Sequence, residues 1–285
     1  MSTEGRLAVR KTYKLFIGGA FPRSESGRSY QVQSTSGDFL ANAALGSRKD
    51  VRDAVKAARG AVAKWSGATA YNRGQILYRV AEMLEGRRSQ FVEEVAAAEG
   101  SGPEVVDAAI DRWVWYAGWA DKIAQVHGGA NPVAGPYFNL SAPEPTGVVG
   151  IVAPAASSLL GLVSVIAPAI VTGNTAVVLA SPDRPLPAVT LAEVLATSDL
   201  PGGVVNILTG QPAEMAPWLA AHMDVNAIDL TGVTDTTLAK ELEAAAAENL
   251  KRVIRPSDPD WTGDPGISRM LSLLEIKTVW HPKGV

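Results

Sequence analysis

Short apolar runs alternate with helical stretches in the second half of the chain. Runs of β-branched or apolar residues predict strands over residues 147–152, 175–179, 204–208, 227–230 and 251–254. Helical spacing predicts helices over residues 159–171, 188–197, 214–221 and 234–249. Strands separated by single helices are typical of parallel βαβ units with both sheet faces covered. The pattern therefore predicts an α/β fold with a Rossmann-like, doubly wound parallel sheet.

The pattern in the first half of the chain predicts a hairpin followed by helices. Residues 13–21 alternate around Gly18 and Gly19, which predicts a hairpin. A helix starts at residues 47–50, the same period continues past residue 76, and Pro103 opens a further helix. That last helix carries three tryptophans, for which core or interface packing is a simpler role than a ligand pocket. We expect these helices to be added to the start of the sheet domain.

Two irregular segments flank the alternating region. Residues 137–141 are strand-like, and Pro143 and Pro145 separate them from the strand that follows. Residues 255–266 hold three prolines, two glycines and three aspartates, which predicts a loop or linker. Residues 274–280 then form a strand by composition, with Ile276, Thr278 and Trp280 on one face.

Composition and charge narrow the range of functions. The chain of 285 residues contains no cysteine, which excludes disulfides and thiolate metal sites. Its histidines, His127, His222 and His281, are far apart, so we expect no metal. A net charge of -3 gives no basic field for nucleic acid. No apolar run reaches the roughly 18 residues of a membrane span, and residues 1–14 lack the apolar core of a secretory signal. We expect the protein to be cytoplasmic.

Several segments, in this order along the chain, resemble the aldehyde dehydrogenase family. They are residues 14–21 (KLFIGGAF), 145–154 (PTGVVGIVAP), 200–210 (LPGGVVNILTG) and 246–253 (AAENLKRV). Members of that family oxidise aldehydes through a cysteine thiolate, and hydride then passes to a nicotinamide cofactor. Residues 275–280 resemble the far C-terminus of the family, so the resemblance implies that the catalytic domain between them is missing.

The resemblance implies a division into domains. Residues 1–136 and 148–256 correspond to the nucleotide-binding domain, and residues 255–268 to a linker that replaces the catalytic domain. Residues 137–147 and 272–285 correspond to an oligomerisation arm and its C-terminal strand, which in the family reach a neighbouring subunit. The alternative is that the last strand packs only on its own domain. Loss of the catalytic domain should expose apolar surface that a partner could bury.

At the positions where the family has catalytic residues, this sequence has residues that cannot perform those roles. An asparagine that helps to hold the oxyanion is replaced by Ala156, which follows Ala155. Residues 254–257 (IRPS) stand where the glutamate base and a glycine pair should follow, and the nucleophile is absent. The resemblance thus predicts no catalytic residue, and we expect the isolated chain not to oxidise aldehydes.

The family's cofactor site is degenerate here. Ala180 replaces a lysine that binds the cofactor ribose, and Val233 replaces the serine of a threonine-glycine-serine motif. Thr237 replaces a later glycine, and the carboxylate of Asp235 in the first helical turn would repel phosphate. We expect no bound cofactor, with NAD or NADP as the alternative. The residues that correspond to the site are Ala153, Pro154, Ala180, Ser181, Gly210, Thr231, Gly232 and Val233.

These observations lead to one main hypothesis and two alternatives. The main one is a non-catalytic subunit that assembles with a full-length aldehyde dehydrogenase paralogue, or with itself, to stabilise or regulate it. The first alternative is a dinucleotide-binding module. The second is a chain that contributes residues to a composite NAD(P)-dependent oxidoreductase site. None of the three involves nucleic acid or a membrane.

Overall fold

The computed structural model describes residues 10–284, so the predictions for residues 1–9 and 285 lie outside the described part. Within it, the first half is mostly helical, with one small three-stranded sheet near the start. These elements are β1 (Thr12–Tyr13), β2 (Ser29–Gln33), β3 (Phe39–Ala44), α1 (Arg48–Ser66), α2 (Ala70–Glu85), α3 (Arg88–Glu99), α4 (Pro103–Trp119) and α5 (Ile123–His127). The hairpin predicted at residues 13–21 is a tight turn at Gly18–Gly19, closed by a bridge between Ile17 and Ala20.

The second half alternates strands and helices as predicted. Its elements are β4 (Gly129–Asn131), β5 (Tyr137–Pro145), β6 (Val148–Val152), α6 (Leu160–Val171), β7 (Thr175–Leu179), α7 (Leu186–Ala196), β8 (Val205–Leu208), α8 (Pro212–Ala221), β9 (Ala227–Asp229), α9 (Thr236–Ala247), β10 (Arg252–Ile254), α10 (Ser268–Ser272) and β11 (Leu274–Pro282). None of the helices in residues 10–284 is long and apolar enough to cross a bilayer.

Five parallel strands form the centre of the molecule in the order β10-β9-β6-β7-β8. Every residue of β6, β7, β8 and β9 is buried, as expected where helices cover both faces. Helices α4, α6 and α7 pack on one face, and α1, α8 and α9 pack on the other. The fold is therefore the predicted doubly wound, Rossmann-like sheet, with the helices α1–α4 added at its start.

An antiparallel sheet of three strands, in the order β11-β5-β4, forms an arm. Strand β5 includes Pro143 and Pro145. The prediction that these prolines lie between two strands is therefore wrong. Both prolines lie beyond the part of β5 that pairs with β4, which ends at Ser141. They therefore need no amide hydrogen for that pairing, and the strand continues.

Candidate functional site

The order of the central strands places a candidate site at one edge of the sheet. The chain leaves β6 towards one face and β9 towards the other, so the carboxyl ends of these neighbouring strands form the switch point where α/β sheets bind ligands. The predicted site residues all follow β6, β7, β8 or β9, and the fold brings them to this edge. They are Ala153, Pro154, Ala180, Ser181, Gly210, Thr231, Gly232 and Val233.

Backbone closes the gap between the ends of β6 and β9. The amide of Gly232 donates a 3.0 Å hydrogen bond to the carbonyl of Val152. A Cβ atom on Gly232 would lie 2.0 Å from the carbonyl oxygen of Ala153, so this turn has room only for glycine. The next residue, Val233, points into the apolar core instead of the crevice.

An unpredicted ion pair occupies the end of β9. Asp229 is fully buried, and one carboxylate oxygen accepts from the amide of Thr231 at 2.9 Å and from its hydroxyl at 2.5 Å. Its other oxygen accepts from the guanidinium of Arg269 on α10, which also donates to the Thr231 hydroxyl at 3.0 Å. The Thr231 side chain is thus fully engaged within the chain.

The N-terminus of α9 is the place where the fold would receive a pyrophosphate, and it does not fit one. Asp235 is the N-cap of this helix, which begins at Thr236 and not at residue 234 as predicted. Its carboxylate accepts from the amide of Thr237 at 2.8 Å and from that of Leu238 at 3.4 Å. These amides are the groups that bind phosphate at helix N-termini, and a fixed negative charge now holds them.

We expect Asp235→Ala to lower the free energy of unfolding by about 1 kcal/mol, because two first-turn amides lose their acceptor. Asp235→Ser keeps a capping oxygen and should change stability by only a few tenths of a kcal/mol. Urea titrations of the two variants measure the difference. Equal stability of both would show that the carboxylate does not cap this helix.

The loops after β6 and β7 are tied to each other. The hydroxyl of Ser181 donates to the carbonyl of Ala155 at 3.0 Å, and the guanidinium of Arg184 donates to that of Ala156 at 2.6 Å. Ala180 is buried and offers only a methyl group. The side chain of Ala156 is a methyl group, so it offers no hydrogen-bond donor to an oxyanion.

The end of β8 is covered by the segment between β3 and α1. The amide of Gly46 donates to the carbonyl of Thr209, and the hydroxyl of Thr209 donates to the carbonyl of Ala44 at 2.6 Å. Gly210 has φ 132° and lies against Gly46 and Met215. Gly210, which was predicted to bind the cofactor, is therefore in contact with other residues of this chain.

The segment between β10 and β11, of which residues 255–268 were predicted as a linker, packs against the sheet domain. Met270 and Leu273 are buried in the main core, and Trp261, Ile267 and Leu271 pack against it. Loss of the catalytic domain was expected to expose apolar surface of the sheet domain. That expectation is wrong for the surface near α4 and α6, because residues 255–273 cover it. No sequence signal indicates this packing, since a Pro- and Gly-rich composition predicts only the absence of regular structure.

Arg112 on α4 anchors this segment. Its guanidinium donates to the carbonyls of Trp261 at 2.7 Å and Gly263 at 3.0 Å, and to the hydroxyl of Ser164 at 3.1 Å. Burial lowers the pKa of Arg112. Arg112 therefore connects α6, through Ser164, to the segment that contains Trp261 and Gly263.

We expect Arg112→Met to loosen residues 255–266, because each lost hydrogen bond to a charged group contributes about 1.5–3 kcal/mol. Limited proteolysis should cut this segment roughly tenfold faster or more than in the unaltered chain. Arg48→Met, which removes only an exposed arginine stacked on Trp218, serves as the control. Unchanged cleavage in Arg112→Met would contradict the anchoring role.

Glu94 lies away from the carboxyl edge of the central sheet, and its carboxyl group has a raised pKa. Burial raises the pKa of Glu94 on α3. One of its oxygens accepts from the hydroxyl of Tyr13 at 3.2 Å, the hydroxyl of Thr190 at 2.9 Å and the amide of Gln90 at 3.1 Å. The network joins β1, α3 and α7, which is a structural role.

The arm carries six of the large apolar side chains that are exposed in the described chain. Strand β11 pairs with β5 along nine positions, from Leu274 opposite Pro145 to Pro282 opposite Tyr137. All of its residues except Leu274 are exposed, and Trp280 exposes 58% of its surface. Among residues 10–284, no strand pairs with the outer edge of β11. The other large exposed apolar side chains of the arm are Tyr137, Phe138, Leu140, Ile276 and Val279.

Polar contacts hold the three strands of the arm together. The amide of Asn131 on β4 donates to the side-chain oxygens of Asn139 at 2.6 Å and Ser141 at 2.8 Å. The hydroxyl of Ser141 contacts that of Thr278 on β11 at 2.9 Å. Arg252 of β10 forms a two-bond pair with Glu275, which connects the arm to the central sheet. The arm is thus ordered by its own contacts, while its faces and outer edge remain open.

Comparisons with known proteins agree with the fold. The model of the family described as "Aldehyde dehydrogenase family" matches residues 21–255. Mitochondrial aldehyde dehydrogenase of Rattus norvegicus is 32% identical over 250 residues, which are 84% of this chain and 47% of that protein. Retinal dehydrogenase 2 of Homo sapiens is 33% identical over 253 residues, which are 85% and 48% of the two chains.

Solved structures give the same picture. Aldehyde dehydrogenase of Bacillus cereus, in its NAD+ complex, aligns with a TM-score of 0.80 at 28% identity, over 85% of this chain and 50% of that one. HpcC of Thermus thermophilus aligns with a TM-score of 0.80 at 31% identity, over 85% and 47%. The chain spans about half the length of the curated relatives that it matches.

Proposed function

The chain belongs to the aldehyde dehydrogenase family, and we propose that it serves there as a non-catalytic subunit. In this proposal it assembles with a full-length aldehyde dehydrogenase, in the cytoplasm, and stabilises or regulates that enzyme. The exposed arm carries the proposal. An edge strand of nine residues with apolar side chains on both faces invites another chain, because unpaired edges and large apolar patches are otherwise aggregation hazards.

The state of the sheet edge supports the non-catalytic part of the proposal. Oxidation of an aldehyde by this family's route needs a nucleophile, a base and an oxyanion donor together. The chain has no cysteine, and Ala156 offers no donor. Residues 255–273 lead directly from β10 into the arm and use Arg269 to fill the end of β9. We therefore assign no catalytic step to this chain.

Dinucleotide binding is the second candidate, and the retained strand order of the sheet favours it. The capped amides of α9 and the engaged Thr231 weigh against it. We expect isothermal calorimetry with NAD and with NADP at millimolar concentration to give no binding heat. Saturable heat with either cofactor would favour the dinucleotide-binding module over the non-binding subunit.

Affinity capture of the tagged chain from its native source tests the assembly. We expect a full-length aldehyde dehydrogenase to be recovered and identified by its peptides. Trp280→Lys, on the arm, should reduce that recovery at least roughly tenfold, because a charge would face the buried interface. Met223→Lys changes an exposed apolar residue after α8 and serves as the control. Recovery of the enzyme by all three chains alike would place the contact elsewhere, and recovery by none would remove the proposal.

A further inference from the structure

The outer edge of β11 has a fixed hydrogen-bonding pattern. The carbonyl of Leu273 accepts from Thr146 at 3.3 Å, and the amide of Lys283 donates to Pro136 at 2.8 Å. Leu273 and Lys283 flank β11 directly, so the odd-numbered positions direct their backbone groups towards β5. Because these directions alternate in an antiparallel ladder, Ile276, Thr278 and Trp280 direct theirs outwards.

This edge is complementary to itself. We propose that two copies of the chain pair through β11 in antiparallel orientation about a two-fold axis at Thr278. Thr278 then lies opposite Thr278, and Ile276 lies opposite Trp280 twice. The outward groups at these three positions satisfy one another, and all nine residues of the strand are paired.

Neighbouring registers are poorer. An axis at Lys277 would set two lysine side chains directly opposite each other, which is destabilising. An axis at Val279 would leave Leu274 and Glu275 unpaired, and one at Ile276 would shorten the ladder further. With the axis at Thr278, Lys277 lies opposite Val279 and Glu275 lies opposite His281, so no like charges meet.

The pairing also covers apolar surface. Trp280 packs edge-on against Tyr137 of its own arm, with ring centroids 5.9 Å apart, and exposes its other side. In the pair, Ile276 of the second copy packs beside it on the same face. The two three-stranded arms become one six-stranded sheet, which pairs the outer edge of β11 in each copy.

This inference goes beyond the proposed function, since it concerns the chain without a partner enzyme. A longer relative that docks on the arm would use the same edge as the second copy. The homodimer is therefore a resting form of the free subunit, and assembly with the enzyme replaces one partner strand by another.

Site-directed cross-linking tests the register, because the chain has no cysteine of its own. In Thr278→Cys the two Cα atoms would lie about 5.5 Å apart, within the range of about 4.4–6.8 Å that a disulfide requires. In Ile276→Cys the two equivalent positions would be roughly 13 Å apart along the ladder. We expect mild oxidation at micromolar concentration to give mainly covalent dimer for the first variant and at most one-tenth as much for the second. Equal cross-linking of both, or of neither, would overturn the pairing.

Charge variants give a second measurement that does not depend on a disulfide. Ile276→Lys with Trp280→Lys places like charges opposite each other, whereas Ile276→Glu with Trp280→Lys places opposite charges there. Sedimentation should show a dimer dissociation constant at least about tenfold higher for the first pair. Equal constants would contradict the register, with circular dichroism as the check on folding. Neither experiment involves the enzyme, so its failure would leave the capture result to decide the proposed function.

Discussion

Arg269→Met should lower the free energy of unfolding by about 3–5 kcal/mol, because it leaves the carboxylate of Asp229 buried without its cation. Asp229 has no exposed surface, and the remaining donors both come from Thr231. A domain of this kind has a total stability of about 5–15 kcal/mol, so this loss is a large fraction of it. Urea denaturation followed by tryptophan fluorescence measures the change.

Two further variants separate the ion pair from the loss of a side chain. Adding Asp229→Asn to Arg269→Met removes the uncompensated charge and should restore at least half of the lost stability. Arg255→Met removes an exposed arginine that lies 3.4 Å from Glu243 and should change stability by less than about 0.5 kcal/mol. A loss below about 1 kcal/mol in Arg269→Met would contradict the role of the pair in fixing residues 255–273 to the sheet.

Gly232→Ala should lower the free energy of unfolding by about 3 kcal/mol, because the added methyl group meets rigid backbone and not a flexible side chain. The methyl would lie 2.0 Å from the carbonyl oxygen of Ala153, so the turn after β9 must move away from β6. That movement also weakens the hydrogen bond from Gly232 to Val152. The same urea titration gives the value.

Gly60→Ala is the matched control for this substitution. Gly60 lies inside α1, and an added Cβ there meets nothing within 4 Å. Alanine has the higher helix propensity, so this variant should be more stable by about 0.5–1 kcal/mol. If the two alanine variants had similar stabilities, the close approach of β9 and β6 would be wrong.

The central sheet was predictable because its strands and helices have different periods and alternate strictly. Strand β7 has the predicted bounds, and the other four strands end within one residue of the prediction. Strand β2 was missed although Tyr30 and Val32 alternate with polar residues, a usable signal of a half-buried strand. Strand β11 pairs with β5 along its whole length, and nothing in the composition of β11 indicates that partner.

The details of the sheet edge were less predictable, because they depend on where the chain goes after β10. Asp229 and Arg269 are 40 residues apart, and nothing in either neighbourhood marks them as partners. The same holds for Arg112 and the carbonyls of Trp261 and Gly263. An aspartate inside the apolar run of β9 was the available clue, since a buried carboxylate needs a partner.

The proposal of a non-catalytic subunit rests on the contrast between the scaffold and the sheet edge. Apolar side chains of the sheet and of the helices on both of its faces form the core of the molecule. At the edge where ligands bind in such folds, the chain places its own groups: the carboxylate of Asp235, the guanidinium of Arg269 and the backbone at Gly232. In the proposed function, the arm is therefore the part of the described chain that contacts another molecule.

The most direct test of this account is the mass of the complex captured with this chain, weighed intact by native mass spectrometry. We predict a defined assembly that contains a full-length aldehyde dehydrogenase, and its loss when Trp280→Lys replaces the unaltered chain. Recovery of this chain alone, as a monomer or as a homodimer, from a source that contains such enzymes would contradict the account.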